Sequence, residues 1–490
     1  MSRLDALRNE LSNLDSDIQC SKERLRSLEN RRDEIQQYLD TITYPILSIP
    51  REITSQIFLH SFSSNAEDEP RFAQAPLLFL LVCKDWRQIA LDTHGLWTRL
   101  QLFTEDLPFD YIVQAQRLPK MVHKWFQRAG TLPLSLDLTA WDTVDGEDFR
   151  SIVSHNATQL QSLTLSLPLA DFPVDTIDFP MLERVTLSVL LERTSIDEYL
   201  SSGNQPYRCF SGAPRLREVC LYKPANPKLF ILPSARLTKF TGEGLTADEC
   251  LDLLRSAPSL IECRLTVEID DPPLDKRRVV LHHLQLLQLA RSPYSAEVEH
   301  AGVADILELL DAPVLERLEL NYIPDLDLFD EQMTTFFSRV SASLRHFSFS
   351  GDDCEAFLPV TALQWFCQLL QLTHVEFVRP EECFINVFIA ALMEDGFLPR
   401  LHTLRFLDYS FRADEALMEA LSSRSVVSPC GHERAPLKVF DLLWAHPVHA
   451  HSLEKEAAML DMFAKHGMQV HIGIAESSDG DDSSFTLCLS

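Results

Sequence analysis

Glycine is scarce in this chain, 14 residues in 490. Neither a Gly-x-x-x-x-Gly-Lys loop nor a Gly-x-Ser-x-Gly turn occurs, so the sequence lacks a phosphate cradle and the turn that presents a hydrolase serine. Bases are outnumbered, with 44 Lys and Arg against 72 Asp and Glu and a net charge of −28. Such a chain is repelled by phosphate backbones, and no Lys/Arg block resembles a nucleic-acid arm, which argues against nucleic acid as the main partner. No apolar run approaches the roughly 18 residues of a membrane span. The opening MSRLDALRNELSNLDSD is charged throughout and does not read as a secretory signal. The 11 cysteines are odd in number and irregularly spaced, several within apolar runs (Cys83, Cys220, Cys263, Cys367). They read as buried free thiols of a reducing compartment, not a disulfide framework. A soluble protein of the cytoplasm or nucleus is expected.

What is present begins with a heptad pattern. Leu4, Leu7, Leu11, Leu14, Ile18, Leu25, Leu28, Ile35 and Leu39 recur at steps of three and four, interrupted at Ser21 and Arg32. This predicts a coiled-coil helix over residues 1–40. It would pair with a second copy or fold back on its own chain as an amphipathic helix. In a parallel homodimer Asp17 would face Lys22 and Arg24 would face Glu29, both attractive, whereas Glu10 would face Asp15. Pro45 ends the pattern by restricting Tyr44.

Residues 44–98 form a compact apolar unit. Ile49-Pro50-Arg51-Glu52-Ile53 reads as a helix start, with proline in the first turn and Glu52 at the positive end of the helix dipole. Ile53, Ile57 and Phe58 fall on one face. Pro70 and its acidic neighbours mark a loop. A second helix is expected with Leu78, Leu81, Val82, Trp86 and Ile89 on one side, and Asp92–Gly95 turns the chain before Leu96-Trp97. Too small for a large core of its own, such a unit suits completion by another protein.

These residues resemble the F-box family. Its Leu-Pro motif stands here as Ile49-Pro50, its apolar first helix as Ile53, Ile57 and Phe58, its Val-Cys-Lys-x-Trp-Arg as Val82–Arg87, and its terminal Leu-Trp as Leu96-Trp97. Ile49 in place of leucine and a long loop between the helices, a feature of fungal members, are the departures. The match covers about a ninth of the chain. The resemblance implies docking on the Skp-type adaptor of cullin-RING (SCF) ubiquitin ligases through Ile49, Pro50, Glu52, Ile53, Ile57, Phe58, Leu78, Leu81, Val82, Cys83, Trp86, Leu96 and Trp97.

From residue 157 to 475 a Leu-x-x-Leu-x-Leu phrase recurs. Eleven copies begin at Leu160, Leu182, Leu216, Leu237 (weak), Leu260, Leu284, Leu315, Leu344, Leu372, Leu401 and Leu437, spaced about 21 to 36 residues apart. The fold class expected is α/β: an irregular leucine-rich-repeat horseshoe of parallel strands with crossover helices, such as Ala247–Leu254 and Val303–Leu310. The usual repeat asparagine is missing from most copies, so irregular turns are expected. Solvent-facing strand positions, among them Arg184, Tyr222, Arg264, Arg317, Asn321, His346 and Arg405, would line the target-binding face. Their mixed signs suit a partner with acidic and aromatic features.

Residues 101–156 read as a connector, with a helix over Tyr111–Ala129 and a strand at Leu134, Leu136 and Leu138; residues 476–490 read as an acidic tail. Cys430, His432, His446, His449 and His451 have metal-like composition without paired zinc spacing, so neither a metal nor a cofactor is expected. Together these features predict a non-catalytic substrate receptor that binds adaptor at one end and a target protein at the other. The alternative is an F-box scaffold acting outside a ubiquitin ligase.

Overall fold

The computed structural model describes residues 3–41, 49–61, 76–103, 118–139, 146–172, 176–190, 202, 205–222, 226–268, 272–292, 302–321, 330–350, 362–380, 382–394, 396–407, 415–425, 435–444, 463 and 467–474. The chain divides into two units, Met1–Leu96 and Trp97–Ser490.

In the first unit the heptad stretch is one helix, α1 (Arg3–Thr41), of 39 residues. Leu7, Leu11, Leu14, Ile18, Leu25, Leu28, Ile35 and Leu39 are all exposed along it. Three short helices follow: α2 (Arg51–His60), α3 (Phe79–Val82) and α4 (Lys84–Asp92). Pro50 caps α2, its carbonyl accepting from the amides of Ile53 (3.0 Å) and Thr54 (3.1 Å). The stretch expected as one second helix is two. Cys83 adopts an extended backbone, φ −156° and ψ 173°, and its Sγ accepts the Trp86 amide at 3.4 Å, capping α4. That break parts Leu78, Leu81 and Val82, which are exposed, from Ile89, which is buried. Phe58 stacks on Phe79 with centroids 4.0 Å apart and meets Trp86 edge-on at 5.0 Å, forming a three-ring core. Gly95 closes the unit, because a Cβ there would stand 2.8 Å from Leu59 Cδ2.

The second unit is built on parallel strands: β1 (Arg99–Phe103), β2 (Leu134–Thr139), β3 (Leu160–Pro168), β4 (Arg184–Leu190), β5 (Glu218–Tyr222), β6 (Lys239–Leu245), β7 (Glu262–Val267), β8 (Val279–Val280), β9 (Leu286–Arg291), β10 (Leu310–Asp311), β11 (Arg317–Asn321), β12 (His346–Ser350), β13 (His374–Val378), β14 (Thr403–Leu407), β15 (Val439–Trp444) and β16 (Gln469–Ile474). β8 pairs with β10; the other strands form one 14-stranded sheet in chain order. Among the described residues every pairing in it is parallel.

All eleven leucine phrases are strands of this sheet, including the weak one at Leu237, which forms β6 with an irregular step between Gly242 and Leu245. The sheet is also longer than the phrase predicts. β1 and β2, the latter at the strand expected from Leu134, Leu136 and Leu138, carry the array into the expected connector, and β16 extends it at the other end. RLQLF, LSLDLT and QVHIGI alternate in burial or polarity without the full leucine phrase, which hides β1 and β16 from a search for it. The connector helix is described from Leu118 to Ala129. The 63–74 loop, the acidic tail and the Cys430–His451 cluster lie outside the described residues.

A backbone rung runs along one edge of the strands. The Glu316 carbonyl accepts from the amides of both Arg345 and His346, Arg345 from Thr373 and His374, Thr373 from His402 and Thr403, and His402 from Lys438 and Val439, all at 2.8–3.0 Å. The same double acceptance links Glu183, Arg217, Thr238, Ile261, Gln285 and Glu316. This fixes strand register one repeat at a time.

Below the sheet, inward side chains meet the crossover helices. Leucine and valine dominate β3 to β5, whereas phenylalanine takes over from β12. Phe347 packs on Phe366, Phe366 on Phe377 and Phe388, and Phe377 on Phe388 and Phe406, at centroid distances of 5.1–6.0 Å. Burying each such side chain is worth roughly 1.5–3 kcal/mol. Arginines in the last helical turns bind carbonyls of the preceding segment. Arg339 of Asp330–Val340 donates to Leu307 O (2.7 Å) and Leu310 O (2.9 Å), and Arg424 of Glu415–Ser425 to Leu392 O (2.9 Å) and Leu398 O (3.0 Å). Orphan carbonyls at helix ends are satisfied in this way.

Candidate functional site

Two surfaces are candidates, one on each unit. On the helical unit the residues singled out by sequence separate into two sets. Pro50, Glu52, Ile53, Ile57, Leu78, Leu81 and Val82 are exposed, Leu81 to 75% and Val82 to 59%. Ile49, Cys83 and Trp86 are half-buried. Phe58, Leu96 and Trp97 are buried.

The division follows from helix geometry. On α2, Ile53 and Ile57 lie four residues apart on one face, while Thr54 and Phe58 lie on the next and turn inward. Arg87 Nε donates to the Leu80 carbonyl at 2.8 Å, satisfying a terminal carbonyl of α3. Thr93 Oγ1 lies 3.0 Å from Ser55 Oγ and donates to Ile89 O at 2.7 Å, tying the end of α4 to α2. These polar ties were not legible from the hydrophobic pattern. Trp97 belongs to the second unit, where its ring meets Trp125 edge-on at 4.9 Å and the Arg128 guanidinium lies over it at 4.3 Å. Its indole is therefore committed to core. The side chains left outside include five large aliphatics, Ile53, Ile57, Leu78, Leu81 and Val82, with the Glu52 carboxylate on the same helix as the first two.

On the sheet, outward positions form rows across the strands. Arg184 faces Glu218 in register, Tyr222 lies opposite Ser188, and Arg264 lies between Thr241 and Gln288. Those three stand in different parts of the array. Arg317, His346 and Arg405 come together with groups that sequence reasoning did not single out as a cluster. His346 stacks on His374 at 5.6 Å, Arg317 pairs with Glu319, and Arg405 pairs with Asp441 at 2.8 Å and Glu376 at 3.5 Å. Asp441 is buried and also bonds His471 Nδ1 at 2.7 Å. Asn321 sits in the next row, between Ala290 and Ser350. Burial first, and then Arg317, His374 and Arg405, push the His346 imidazole down to about 3. His374 is lowered by burial and by His402, Arg405 and Arg317.

Among the described residues no group of three or more His, Cys, Asp or Glu could hold a metal ion, and no helix is long and apolar enough to cross a membrane.

No protein-family profile matches the sequence, and no curated protein matches it. Among solved structures, the yeast complex of Rad7 and Elc1 is similar to this chain at 13% sequence identity and a TM-score of 0.30, over 86% of this chain and 92% of that one.

Proposed function

We propose that this protein is the substrate-recognition subunit of an SCF-type ubiquitin ligase, with the helical unit docking on a Skp-type adaptor and the repeat face holding a target protein. The observation that carries this reading is that Ile53, Ile57, Leu78, Leu81 and Val82 are each exposed on a unit whose Phe58, Phe79 and Trp86 rings already pack on one another. Five large aliphatic side chains exposed within thirty residues of a small unit suit completion by a partner protein. The chain itself makes and breaks no bond in this scheme. It raises the local concentration of a target beside a conjugating enzyme and orients a lysine for transfer. Pairing of α1 with a second copy belongs to the same reading, since its leucine seam is exposed along its length.

Co-expression with a Skp-type adaptor tests it. The full chain is expected to copurify, and an Ile53→Asp/Leu81→Asp variant is expected not to, while keeping the wild-type melting temperature. No association of the wild type would overturn the proposal. Association with adaptor but not with cullin would favour the scaffold reading.

A further inference from the structure

The outer edge of the sheet changes character in its last repeats. In the earlier strands acids and bases are mixed along the edge: Glu183 and Arg184, Arg217 and Glu218, Lys239 paired with Glu262 at 2.9 Å, and Glu316 and Arg317, with Gln285-Leu286 uncharged. From β12 to β15 the acids drop out. The edge positions read Arg345-His346, Thr373-His374, His402-Thr403 and Lys438-Val439, without one acid across four successive rungs. The chain as a whole carries 72 acids against 44 bases, so an acid-free run at this place is a local departure.

Arg345 and Lys438 are exposed, and neither has an ion-pair partner among the described residues. Exposed Arg400 lies one position before the Leu401 phrase, its guanidinium on the Gln371 side-chain oxygen. The acids of the neighbouring row are already engaged: Glu376 and Asp441 with Arg405, and Glu319 with Arg317. Thr373 Oγ1 lies 2.9 Å from the Arg345 carbonyl and 2.8 Å from His374 Nδ1, which ties the His374 ring to its neighbouring rung.

We propose that the edge of β12 to β15, between the exposed cations Arg345 and Lys438, binds an acidic extended segment of a partner protein. The proposal rests on the reading of the repeat array as the target-holding face and names the class of target. Three rungs at about 4.8 Å place Arg345 and Lys438 roughly 14 Å apart, the length of about four residues of extended chain. At physiological salt the Debye length is about 8 Å, so the distant acids of the chain are screened while contact charges act.

Fluorescence anisotropy with the full chain at physiological ionic strength tests this, using labelled octaglutamate as the probe and octaglutamine as its neutral counterpart. Octaglutamate is expected to bind and octaglutamine not. Arg345→Glu/Lys438→Glu is expected to weaken binding at least tenfold, and the milder Arg345→Gln/Lys438→Gln severalfold, with Lys239→Gln unchanged as the control on the other half of the edge. Equal binding of wild type and both double variants, equal binding of the two peptides, or no octaglutamate binding would overturn the proposal. Adaptor copurification from the same preparations separates the two readings. Its loss with peptide binding retained would strike the ligase assignment alone, and the reverse would strike this one alone.

Discussion

The Arg424 guanidinium spans the interval between two repeats: its Nε donates to the Leu392 carbonyl, 2.9 Å away, at the end of the preceding helix. Phe397 O and Leu398 O complete the set. Arg339 does the same for Leu307, Glu308 and Leu310. Each fork staples one crossover helix to the next and satisfies carbonyls that the helix cannot bond internally.

Arg424→Met should therefore cost about 3 kcal/mol or more, since buried carbonyls lose charge-assisted donors together. Lysine should recover little of it, because an ammonium cannot reproduce the planar fork. Denaturant unfolding of the two variants checks the magnitude, and faster amide exchange around Leu392–Leu398 checks the location.

Phe58 and Leu81 should behave oppositely although both belong to the same motif. Phe58→Ala removes the centre of a buried three-ring cluster and is expected to destabilise by about 3–5 kcal/mol. Leu81→Ser changes a side chain that is 75% exposed and should stay within about 0.5 kcal/mol. Thermal melts of the two variants, read beside adaptor binding, separate folding from docking.

Removal of residues 1–40 should halve the solution mass of the full chain if α1 pairs in parallel. Multi-angle light scattering at several concentrations reads this directly, and an unchanged mass would mean that the leucine seam serves something other than self-association.

His346 gives a pH dependence of defined sign. Its folded value of about 3 lies below the ordinary 6.5, so the unfolded chain takes up the proton first as pH falls. Stability is complete above about pH 6.5 and is lost as pH drops toward 3. Between pH 7.5 and 5 the loss from this group is at most about 2 kcal/mol. His374 and His402, both lowered, add in the same direction. His346→Gln should flatten the melting temperature across that interval.

Thiol labelling should distinguish two classes of cysteine. Burial pushes the Cys209 and Cys263 thiols up to about 12 and Cys250 well above its usual value. At pH 8 these three should react with an alkylating reagent only after unfolding, whereas exposed Cys20 and Cys367 should react in the native protein. Mass spectrometry before and after denaturant reads both sets.

Much of the fold was legible in the sequence because its signals are periodic. The heptads named a helix that is present, and every leucine phrase marks a strand, because a buried strand face must repeat its apolar spacing wherever it recurs. What escaped is carried by backbone and polar groups. The extended Cys83 that splits one apolar pattern into two helices looks in sequence like any helical residue. The inward turn of Trp97 depends on Trp125 and Arg128, which lie about thirty residues away. The clustering of Arg317, His346, His374 and Arg405 depends on register, which single-strand alternation does not supply.

The rung of shared carbonyls has an evolutionary consequence. It counts strands, not residues: 21 positions separate Arg217 from Thr238 and 36 separate His402 from Lys438, yet both pairs make the same bonds. Length changes between rungs are thus absorbed in the return path, and lineages can lengthen or trim a crossover without shifting the next strand. Divergence by insertion and deletion is inexpensive in such an architecture, which erodes linear similarity while the ladder persists.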